Sequence, residues 1–349
     1  MTEAPDTSEP VRTSRAAVTS GAERLDLRQV EVALPGPGEV LVGVEAAGIC
    51  GTDLHLYDGS LEGGAHPMIQ GHEFCGRVER IGNGAPPDLR EGDRVVIDPV
   101  VSCGGCYPCR HGAPNACVRM EALGVHRPGG FQERVLVPVT HVHRVDDLDP
   151  IVAALCEPSS IALHALTRAQ VREGQQVLVL GAGTIGLCCT LAASSLGAHV
   201  ATVDLHPSRL RLAERFGAQA VHVAGDDVPQ HVRVWTDGDG PAVVIEATGV
   251  GSVAEDAFHL VAASGTVALV GVSHQPVRVD LRLFTRKEVT VVGTRATRDF
   301  PAAVRFVHEH ATLLEELVTH RVPLDEVERG LRTAATEPAS AVKVMVTVP

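Results

Sequence analysis

The sequence lacks an excess of basic charge, an uninterrupted apolar run and a recognisable targeting segment. Its 43 acidic residues outnumber its 30 basic residues, giving a formal net charge of −13, whereas proteins that bind nucleic acid usually carry a basic face. No apolar run has the roughly 20 residues of a membrane-spanning helix, and the acidic start MTEAPDTSEP is typical of neither a signal peptide nor a transit peptide. We therefore expect a cytoplasmic protein without nucleic-acid or membrane partners, in which residues 1–12 form a mobile tail.

The cysteine content excludes a disulfide scaffold and indicates a metal site instead. Disulfide-rich proteins are usually short and secreted, with an even cysteine count, but this chain has 349 residues and nine cysteines. Four of the nine lie in the segment SCGGCYPCRHGAPNAC, where the CxxCxxCx7C spacing and the intervening glycines allow a tight loop around one ion. We expect these four residues to hold a structural zinc ion in a closed tetrahedral site: Cys103, Cys106, Cys109 and Cys117.

A second group of candidate ligands lies upstream, in the segments GICGTDLH and QGHEF. Cys50 and His72 stand in glycine-flanked turns beside other polar side chains, which is unusual for residues that only fill a core. A mixed set of Cys, His and carboxylate ligands leaves a position open for water or substrate, as in a catalytic zinc site. The polar residues of the two segments are Cys50, Thr52, Asp53, His55, His72 and Glu73.

The distribution of valine-rich segments and turns predicts an α/β protein of two domains. Up to about residue 140, segments such as EVLVGVEAAG and DRVVIDPV alternate with Gly/Pro turns, which predicts antiparallel strands in a barrel-like domain. From about residue 158, strands alternate with helices, which predicts a doubly wound parallel sheet. A helical stretch over residues 301–320 and a strand, AVKVMVTV, follow. We expect the domain boundaries 1–157, 158–297 and 298–349.

A glycine-rich motif indicates that the parallel sheet binds a dinucleotide. The segment GAGTIG follows the strand QQVLVL and opens a helix, whose N-terminus attracts the pyrophosphate. Asp204, at the end of the next strand, can accept hydrogen bonds from ribose hydroxyls and would repel a 2′-phosphate, so we expect NAD rather than NADP; a helix-capping carboxylate is the structural alternative. The expected cofactor-binding residues here are Gly181, Gly183, Thr184, Ile185, Gly186 and Asp204.

These motifs together resemble those of the zinc-dependent medium-chain dehydrogenases. The similarity covers nearly the whole chain and includes the run GHE at residues 71–73, Gly76, Gly82 and the run EGDRV at residues 91–95. The resemblance implies a GroES-like β-barrel catalytic domain, a Rossmann domain, and a C-terminal segment that returns to the first domain. It also implies a homo-oligomer, either a dimer or a tetramer, with two zinc ions and one NAD per subunit.

The resemblance also assigns roles at the catalytic zinc. Cys50 and His72 would be metal ligands, Asp53 would orient His72 through the second ring nitrogen, and Thr52 with His55 would pass the substrate proton outward. A catalytic zinc and a bound nicotinamide imply hydride transfer from an alcohol carbon to NAD. A zinc- or NAD-binding protein without turnover is the remote alternative.

The identity of the third zinc ligand stays open at this point. Glu73 directly follows His72, and in sorbitol-type enzymes this glutamate binds the metal. Glu157 lies where related enzymes use either a cysteine or a Glu-Pro pair, and it could act as a further ligand or through water. Cys156 is expected to be a small core residue that points away from the metal.

Several segments resemble the polyol and sugar-acid branch of the family. CEPSSIALHA is similar to the Glu-Pro helix of that branch, and VGTR at residues 292–295 resembles a segment that places Arg295 near nicotinamide and substrate. By the same resemblance, Gly271 and Thr294 contact the cofactor, and Arg209 lies on its adenine side; a solvated helix residue is the alternative for Arg209. A guanidinium at Arg295 could bind a hydroxyl pair or a carboxylate in bidentate fashion. We expect a secondary alcohol of a polyol, cyclitol or sugar acid as substrate, with Glu157 and Arg295 in contact with it; an L-threonine 3-dehydrogenase-like enzyme, or a general secondary-alcohol dehydrogenase, is the alternative.

Overall fold

The structure of the protein is a computed structural model, which describes residues 12–61, 64, 66–145, 147–225, 227–273 and 276–349. The tail expected at residues 1–12 lies outside the described residues except for Arg12, where the first strand begins.

The first part of the chain forms antiparallel strands, as its valine-rich segments predict. Inward and outward side chains alternate in short strands such as RVLVP, which therefore bury one face. The main sheet has the strand order β10-β6-β5-β3-β18-β17, with β9 also paired to β3, and smaller sheets contain β2-β1-β4 and β7-β8. The strands of this part are β1 (Arg12–Gly21), β2 (Arg24–Val32), β3 (Glu39–Ile49), β4 (Met68–Ile69), β5 (Glu73–Ile81), β6 (Arg94–Ile97), β7 (Val100–Val101), β8 (Glu121–Ala122), β9 (Arg134–Pro138) and β10 (Val142–Arg144).

The middle of the chain forms a six-stranded parallel sheet with the order β13-β12-β11-β14-β15-β16. Its central strands, QVLVL and VVIE, are apolar almost throughout because helices cover both faces. The order reverses between β11 and β14, so a crevice opens at the carboxyl ends of these strands. The strands are β11 (Gln176–Leu180), β12 (His199–Asp204), β13 (Ala220–Val223), β14 (Val243–Glu246), β15 (Thr266–Leu269) and β16 (Thr290–Gly293).

The end of the chain rejoins the first sheet. Strand β17 (Val318–Pro323) pairs in parallel with β18 (Lys343–Thr347), and β18 pairs antiparallel with β3. The helical stretch expected over residues 301–320 is therefore too long, because Val318–His320 are in β17, where pairing with β18 overrides local helix propensity.

Several helices pack on the parallel sheet, whereas the last helix packs on β3, β17 and β18 of the first sheet. They are α1 (Gly51–Tyr57), α2 (Tyr107–Arg110), α3 (Pro150–Ala153), α4 (Cys156–Ala169), α5 (Thr184–Ser195), α6 (Pro207–Arg215), α7 (Val228–Trp235), α8 (Gly251–Leu260), α9 (Arg282–Lys287), α10 (Phe300–Glu315) and α11 (Val327–Thr336), with short 3₁₀ turns at Pro114–Ala116, Val139–His141 and Leu324–Glu326. Helix α4 crosses the expected boundary at residue 157, and the boundaries themselves stay predictions.

One segment is long and apolar enough to cross a membrane, although it contains Glu157 and Arg168. This segment, Pro150–Ala169, is mostly buried inside the protein. Its apolar side chains belong to the hydrophobic cluster that includes α5, α10 and one face of the parallel sheet. The segment is therefore a core element of this fold.

Candidate active site

A buried carboxylate ties together the two segments that carry Cys50 and His72. Cys50 is the N-cap of α1, and the Asp53 side chain in the first turn accepts a hydrogen bond from the Cys50 backbone N–H at 2.9 Å. Asp53 also accepts from the backbone N–H of Gly71 at 3.2 Å, just before His72. This carboxylate is 1% exposed. It therefore fixes the relative position of the loop before α1 and the loop before β5.

The His72 imidazole lies among negatively charged groups. Its Nδ1 atom is 3.8 Å from Asp53 Oδ1, is buried, and has no hydrogen-bond partner among the described residues. Burial alone would lower the pKa of His72, but Asp53, Cys50 and Glu157 raise it well above the ordinary value. Asp53 therefore faces Nδ1 of His72, as expected of an orienting carboxylate, but the distance is longer than that of a hydrogen bond.

The ligand atoms of Cys50, His72 and Glu73 lie within 4.8 Å of one another. Thiolate, imidazole and carboxylate are all ligands that zinc accepts. The group combines an unpartnered buried nitrogen with several anionic side chains, so a divalent cation suits its charge. These three residues therefore fit a zinc ion with an open position.

Glu73 has a second partner that the sequence analysis did not identify. Its Oε2 atom is 2.6 Å from Lys343 Nζ, and the two side chains are 1% and 2% exposed. Lys343 also donates to the backbone carbonyl of Ile49 at 3.0 Å. Gly48 makes room for the pair, because a Cβ atom there would lie 2.0 Å from Glu73 Oε2. Lys343 and zinc would therefore compete for the same carboxylate.

Glu157 lies near this group but outside the set of three. It is buried at the start of α4, and burial raises the pKa of its carboxyl to about 7 even though His72 opposes the shift. A carboxyl in this condition can either donate or accept a proton near neutral pH. The adjacent Cys156 is fully buried, and burial raises the pKa of its thiol.

Thr52 and His55 are both on α1 and both partly buried. His55 Nδ1 is 2.9 Å from the hydroxyl of Ser60, which is exposed. The helix thus leads from Cys50 toward the surface, and the proton relay stays a prediction.

The four cysteines of the second site are also brought together. The Sγ atoms of Cys103, Cys106, Cys109 and Cys117 all lie within 4.8 Å of one another. Arg119 Nη2 is 3.4 Å from Cys103 Sγ, and this contact lowers the pKa of Cys103 to about 5. Four thiol groups at such distances fit a closed zinc site.

The glycine-rich loop has the geometry that a dinucleotide requires. Gly181 has φ +100°, and a Cβ atom at Gly186 would lie 1.8 Å from the Gly181 carbonyl oxygen, so both positions exclude side chains. A Cβ atom at Gly183 would come no closer than 3.9 Å to its neighbour Arg209 Nη1, so the backbone here faces open space. A phosphate can therefore approach this backbone closely. The flanking Thr184 donates to the Val342 carbonyl, and Ile185 is partly buried.

Asp204 lies at the end of β12, beside the loop. One carboxylate oxygen accepts from the Ala182 N–H at 2.7 Å, the other accepts from the His206 N–H at 2.8 Å, and Arg209 Nη1 is 3.9 Å away. Arg209 Nε is buried and has no partner among the described residues. Asp204 therefore links the glycine-rich loop to the turn before α6, whose N-cap is His206, and Arg209 has an unused donor.

The remaining predicted residues lie at the carboxyl end of the sheet. Gly271 approaches Gly249 so closely that a Cβ atom would lie 2.1 Å from its backbone nitrogen. Thr294 donates to the Leu269 carbonyl at 3.2 Å, and Arg295 is exposed. The side chain of Arg295 has no hydrogen bond or ion pair among the described residues, so its guanidinium is available.

The sequence analysis does not identify two residues that contact the candidate site, Lys343 and Asn115. Lys343 is one of two lysines in the chain and stands inside the valine-rich strand AVKVMVTV, which could have marked it as a buried, paired cation. Asn115 is 4% exposed and contacts the segment that contains Arg295. Nothing in the local sequence indicates that contact.

Comparison with known proteins reveals similarity over both parts of the chain. The model of the alcohol dehydrogenase GroES-like domain matches residues 36–147, and that of the zinc-binding dehydrogenase domain matches residues 184–309. L-galactonate-5-dehydrogenase of Escherichia coli K12 is 34% identical over 314 residues, which cover 89% of this chain and 92% of the relative. D-altritol 5-dehydrogenase of Agrobacterium fabrum C58 is 34% identical over 325 residues, covering 91% and 95%.

A solved structure extends the similarity to three dimensions. It is described as a zinc-binding dehydrogenase of Sinorhizobium meliloti 1021 bound to NADP, and it superposes with a TM-score of 0.91 at 34% identity. The match covers 96% of this chain and 99% of the other.

Proposed function

We infer the activity from one premise: the chain belongs to the zinc-dependent medium-chain dehydrogenases, in their polyol branch. It is an alcohol dehydrogenase, and its cofactors are zinc and NAD. The GroES-like domain and the Rossmann-type sheet confirm the fold expected from the sequence. The remote alternative, a protein without turnover, is therefore wrong.

We propose that Cys50, His72 and Glu73 hold the catalytic zinc, with Glu157 as a nearby carboxyl, and that the four-cysteine loop holds the structural zinc. When bound, the catalytic zinc acts as a Lewis acid on the substrate oxygen, and NAD accepts the hydride. Asp53 fixes the loops that carry Cys50 and His72. The hydroxyl proton of the alcohol would leave through Thr52 and His55 toward Ser60 and solvent.

We propose that Asp204 makes the enzyme prefer NAD to NADP. Its carboxylate is buried, at 8% exposure, and the guanidinium of Arg209 lies 3.9 Å from it. A 2′-phosphate would meet this negative charge in a partly desolvated place. The NADP in the Sinorhizobium structure is a property of that protein, so the preference needs its own measurement.

We propose that the substrate is a secondary alcohol of a polyol, cyclitol or sugar acid, which is oxidised to a ketone. The observation that carries this proposal is the buried Glu157 carboxyl beside the zinc ligands. A second hydroxyl, on the carbon next to the reacting one, could form a hydrogen bond with this carboxyl, whereas a simple alcohol has no second hydroxyl. The exposed Arg295 offers a planar donor fork for a hydroxyl pair or a carboxylate. The names of the two relatives, both 5-dehydrogenases of such compounds, support the same class.

A substrate panel tests this proposal. NADH formation is measured with hexitols, inositols, aldonates, threonine, and simple primary and secondary alcohols at equal concentration. We expect the highest kcat/KM among the polyols, cyclitols and aldonates, and Glu157→Gln should lose this selectivity. Rapid oxidation of simple alcohols without turnover of any polyol or sugar acid would overturn the assignment, and preferred turnover of threonine would establish the alternative.

We propose a homo-oligomer, a dimer or a tetramer, that uses the edge of the parallel sheet. Strand β16 is the last strand of that sheet. Val272 and Leu281, which are 77% and 76% exposed, lie in the segments between β15 and β16. An open strand edge with exposed apolar side chains favours pairing with a second copy. Sedimentation should give an oligomer that Leu281→Asp weakens; a monomeric wild-type protein would contradict this. Cytoplasmic localisation stays a prediction.

A further inference from the structure

Asn115 is a buried polar residue in the loop of the four cysteines. It is in the short 3₁₀ turn Pro114–Ala116, two residues before Cys117, and is 4% exposed. A buried amide must satisfy its donors and its acceptor within the protein, because each unsatisfied group costs about 1–3 kcal/mol. The partners of Asn115 therefore indicate what this residue does.

The amide of Asn115 is bonded to three residues that are distant in sequence. Its Oδ1 accepts from Arg298 Nε at 3.0 Å, and its Nδ2 donates to the backbone carbonyl of Arg295 at 2.7 Å. These two contacts fix the orientation of the amide. Nδ2 is also 3.3 Å from His164 Nε2, which must then be the acceptor. Burial lowers the pKa of His164, and Arg298 and Arg168 shift it in the same direction, which favours the neutral ring that this contact requires.

These contacts join the four-cysteine loop to both sides of the proposed reaction site. Arg295 and Arg298 belong to the segment that follows β16, where Thr294 and Arg295 are proposed to meet cofactor and substrate. His164 is on α4, two helical turns after Glu157. One side chain thus connects the structural metal loop, the nicotinamide-side segment and the helix that carries Glu157.

We propose that Asn115 is a positioning residue that couples zinc binding in the four-cysteine loop to dinucleotide binding at residues 294–298. This inference rests on the proposed function, since it takes residues 294–298 as the cofactor segment. When zinc orders the loop, Asn115 holds the Arg295 carbonyl in place. Residues 294–298 then lose less conformational freedom when the dinucleotide binds, so the affinity for the dinucleotide is higher. Because coupling between the affinities of two binding sites is reciprocal, bound dinucleotide must in turn raise the affinity of the loop for zinc by the same factor.

The experiment measures both directions of this coupling in the zinc-loaded, full-length enzyme. NADH affinity is measured from the fluorescence of the dinucleotide, and the zinc affinity of the closed site is measured by equilibrium competition with a colorimetric chelator, with and without saturating NADH. The variants are Asn115→Ala, which removes all three contacts, and Asn115→Asp, which keeps the acceptor for Arg298 but loses both donors. The matched control is Asn83→Ala, since Asn83 is the only other asparagine in the chain and is exposed.

In wild-type enzyme and in Asn83→Ala, we expect NADH to protect the zinc of the four-cysteine site, so that the chelator must be several-fold more concentrated to remove it at equilibrium. Both Asn115 variants should lose this protection and bind NADH about ten-fold more weakly, which is the size expected for one or two lost buried hydrogen bonds. Circular dichroism identifies a variant that fails to fold, and Arg298→Ala, which removes one contact on the opposite side, then replaces it.

Two results would overturn the proposal: equal NADH protection in wild type and in the folded Asn115 variants, or an NADH affinity in these variants no weaker than in Asn83→Ala. The proposed function fails differently, because wild-type enzyme would then neither bind NADH nor oxidise any alcohol of the panel.

Discussion

The buried pair of Glu73 and Lys343 yields the sharpest prediction, for the substitution Lys343→Met. Methionine fills much of the same space, so the main loss is the ammonium that faces Glu73 Oε2 at 2.6 Å. Removing one partner of a buried ion pair leaves an uncompensated charge and costs about 3–5 kcal/mol. With an unfolding entropy of about 2 cal/mol/K per residue over a domain of roughly 200 residues, this corresponds to a fall in Tm of about 7–12 °C.

The assay is thermal unfolding of protein before and after mild chelation. The full effect is expected after chelation, because a divalent ion at Cys50, His72 and Glu73 would neutralise the uncompensated carboxylate charge and offset part of the loss. Lys287→Met is the control. Lys287, the other lysine of the chain, donates to the carbonyls of His259 and Val261 and forms no ion pair among the described residues, so its loss should cost less. The double variant Glu73→Gln/Lys343→Met should regain much of the stability, since neither charge remains.

The same pair predicts a dependence on alkaline pH. Burial alone would lower the pKa of Lys343, but Glu73 and Cys50 raise it above the ordinary 10.5. The stabilisation is then fully present below pH 10.5 and lost as the pH rises through the higher folded-state value. Lys343→Met should abolish this alkaline loss. A Tm drop no larger than that of Lys287→Met, or a double variant as unstable as the single one, would refute the reasoning.

Three further predictions concern the cofactors and the substrate. Asp204→Ser removes the carboxylate that would face a 2′-phosphate, so the NAD-to-NADP ratio of kcat/KM should fall by about ten-fold or more; an unchanged ratio would place the discrimination elsewhere. Mild chelation should remove one of two zinc ions and abolish activity. Cys103→Ser should lower thermal stability, whereas Cys50→Ser should leave a folded, inactive protein. Metal analysis that finds one zinc ion per active chain would contradict the two sites. Arg295→Lys should raise KM for the polyol or aldonate by about ten-fold with zinc content and NADH affinity unchanged, because an ammonium lacks the planar fork; an unchanged KM would show that Arg295 does not touch the substrate.

The features that could be predicted from sequence are those whose chemistry is local. The four cysteines lie within one short segment, so their spacing alone predicts their convergence. GAGTIG directly follows a strand and opens α5, so the loop carries its own structural context. Cys50 and His72 are farther apart, and here the family resemblance supplied the pairing that local patterns could not.

The features that could not be predicted depend on contacts between distant segments. Lys343 and Glu73 are 270 residues apart in sequence. They meet because β18 and β5, which carry them, both pair with β3. The sequence predicts the end of α10 too late, because Val318 pairs with Lys343 in the sheet and no local pattern reveals that pairing. The amide of Asn115 likewise finds its partners across the domain junction, so only the three-dimensional structure identifies its role.

Strand β18 is the last strand of the chain, yet it fills an interior place in the sheet, between β3 and β17. Because synthesis proceeds from the N-terminus, the parallel sheet is complete before the barrel can close. Until then β3 exposes a row of unpaired backbone groups, which is a template for faulty pairing with other chains. A polypeptide that ends before Lys343 would keep a nucleotide-binding domain attached to an open, aggregation-prone barrel. The barrel therefore closes only after Lys343–Thr347 has been synthesised and has paired with β3.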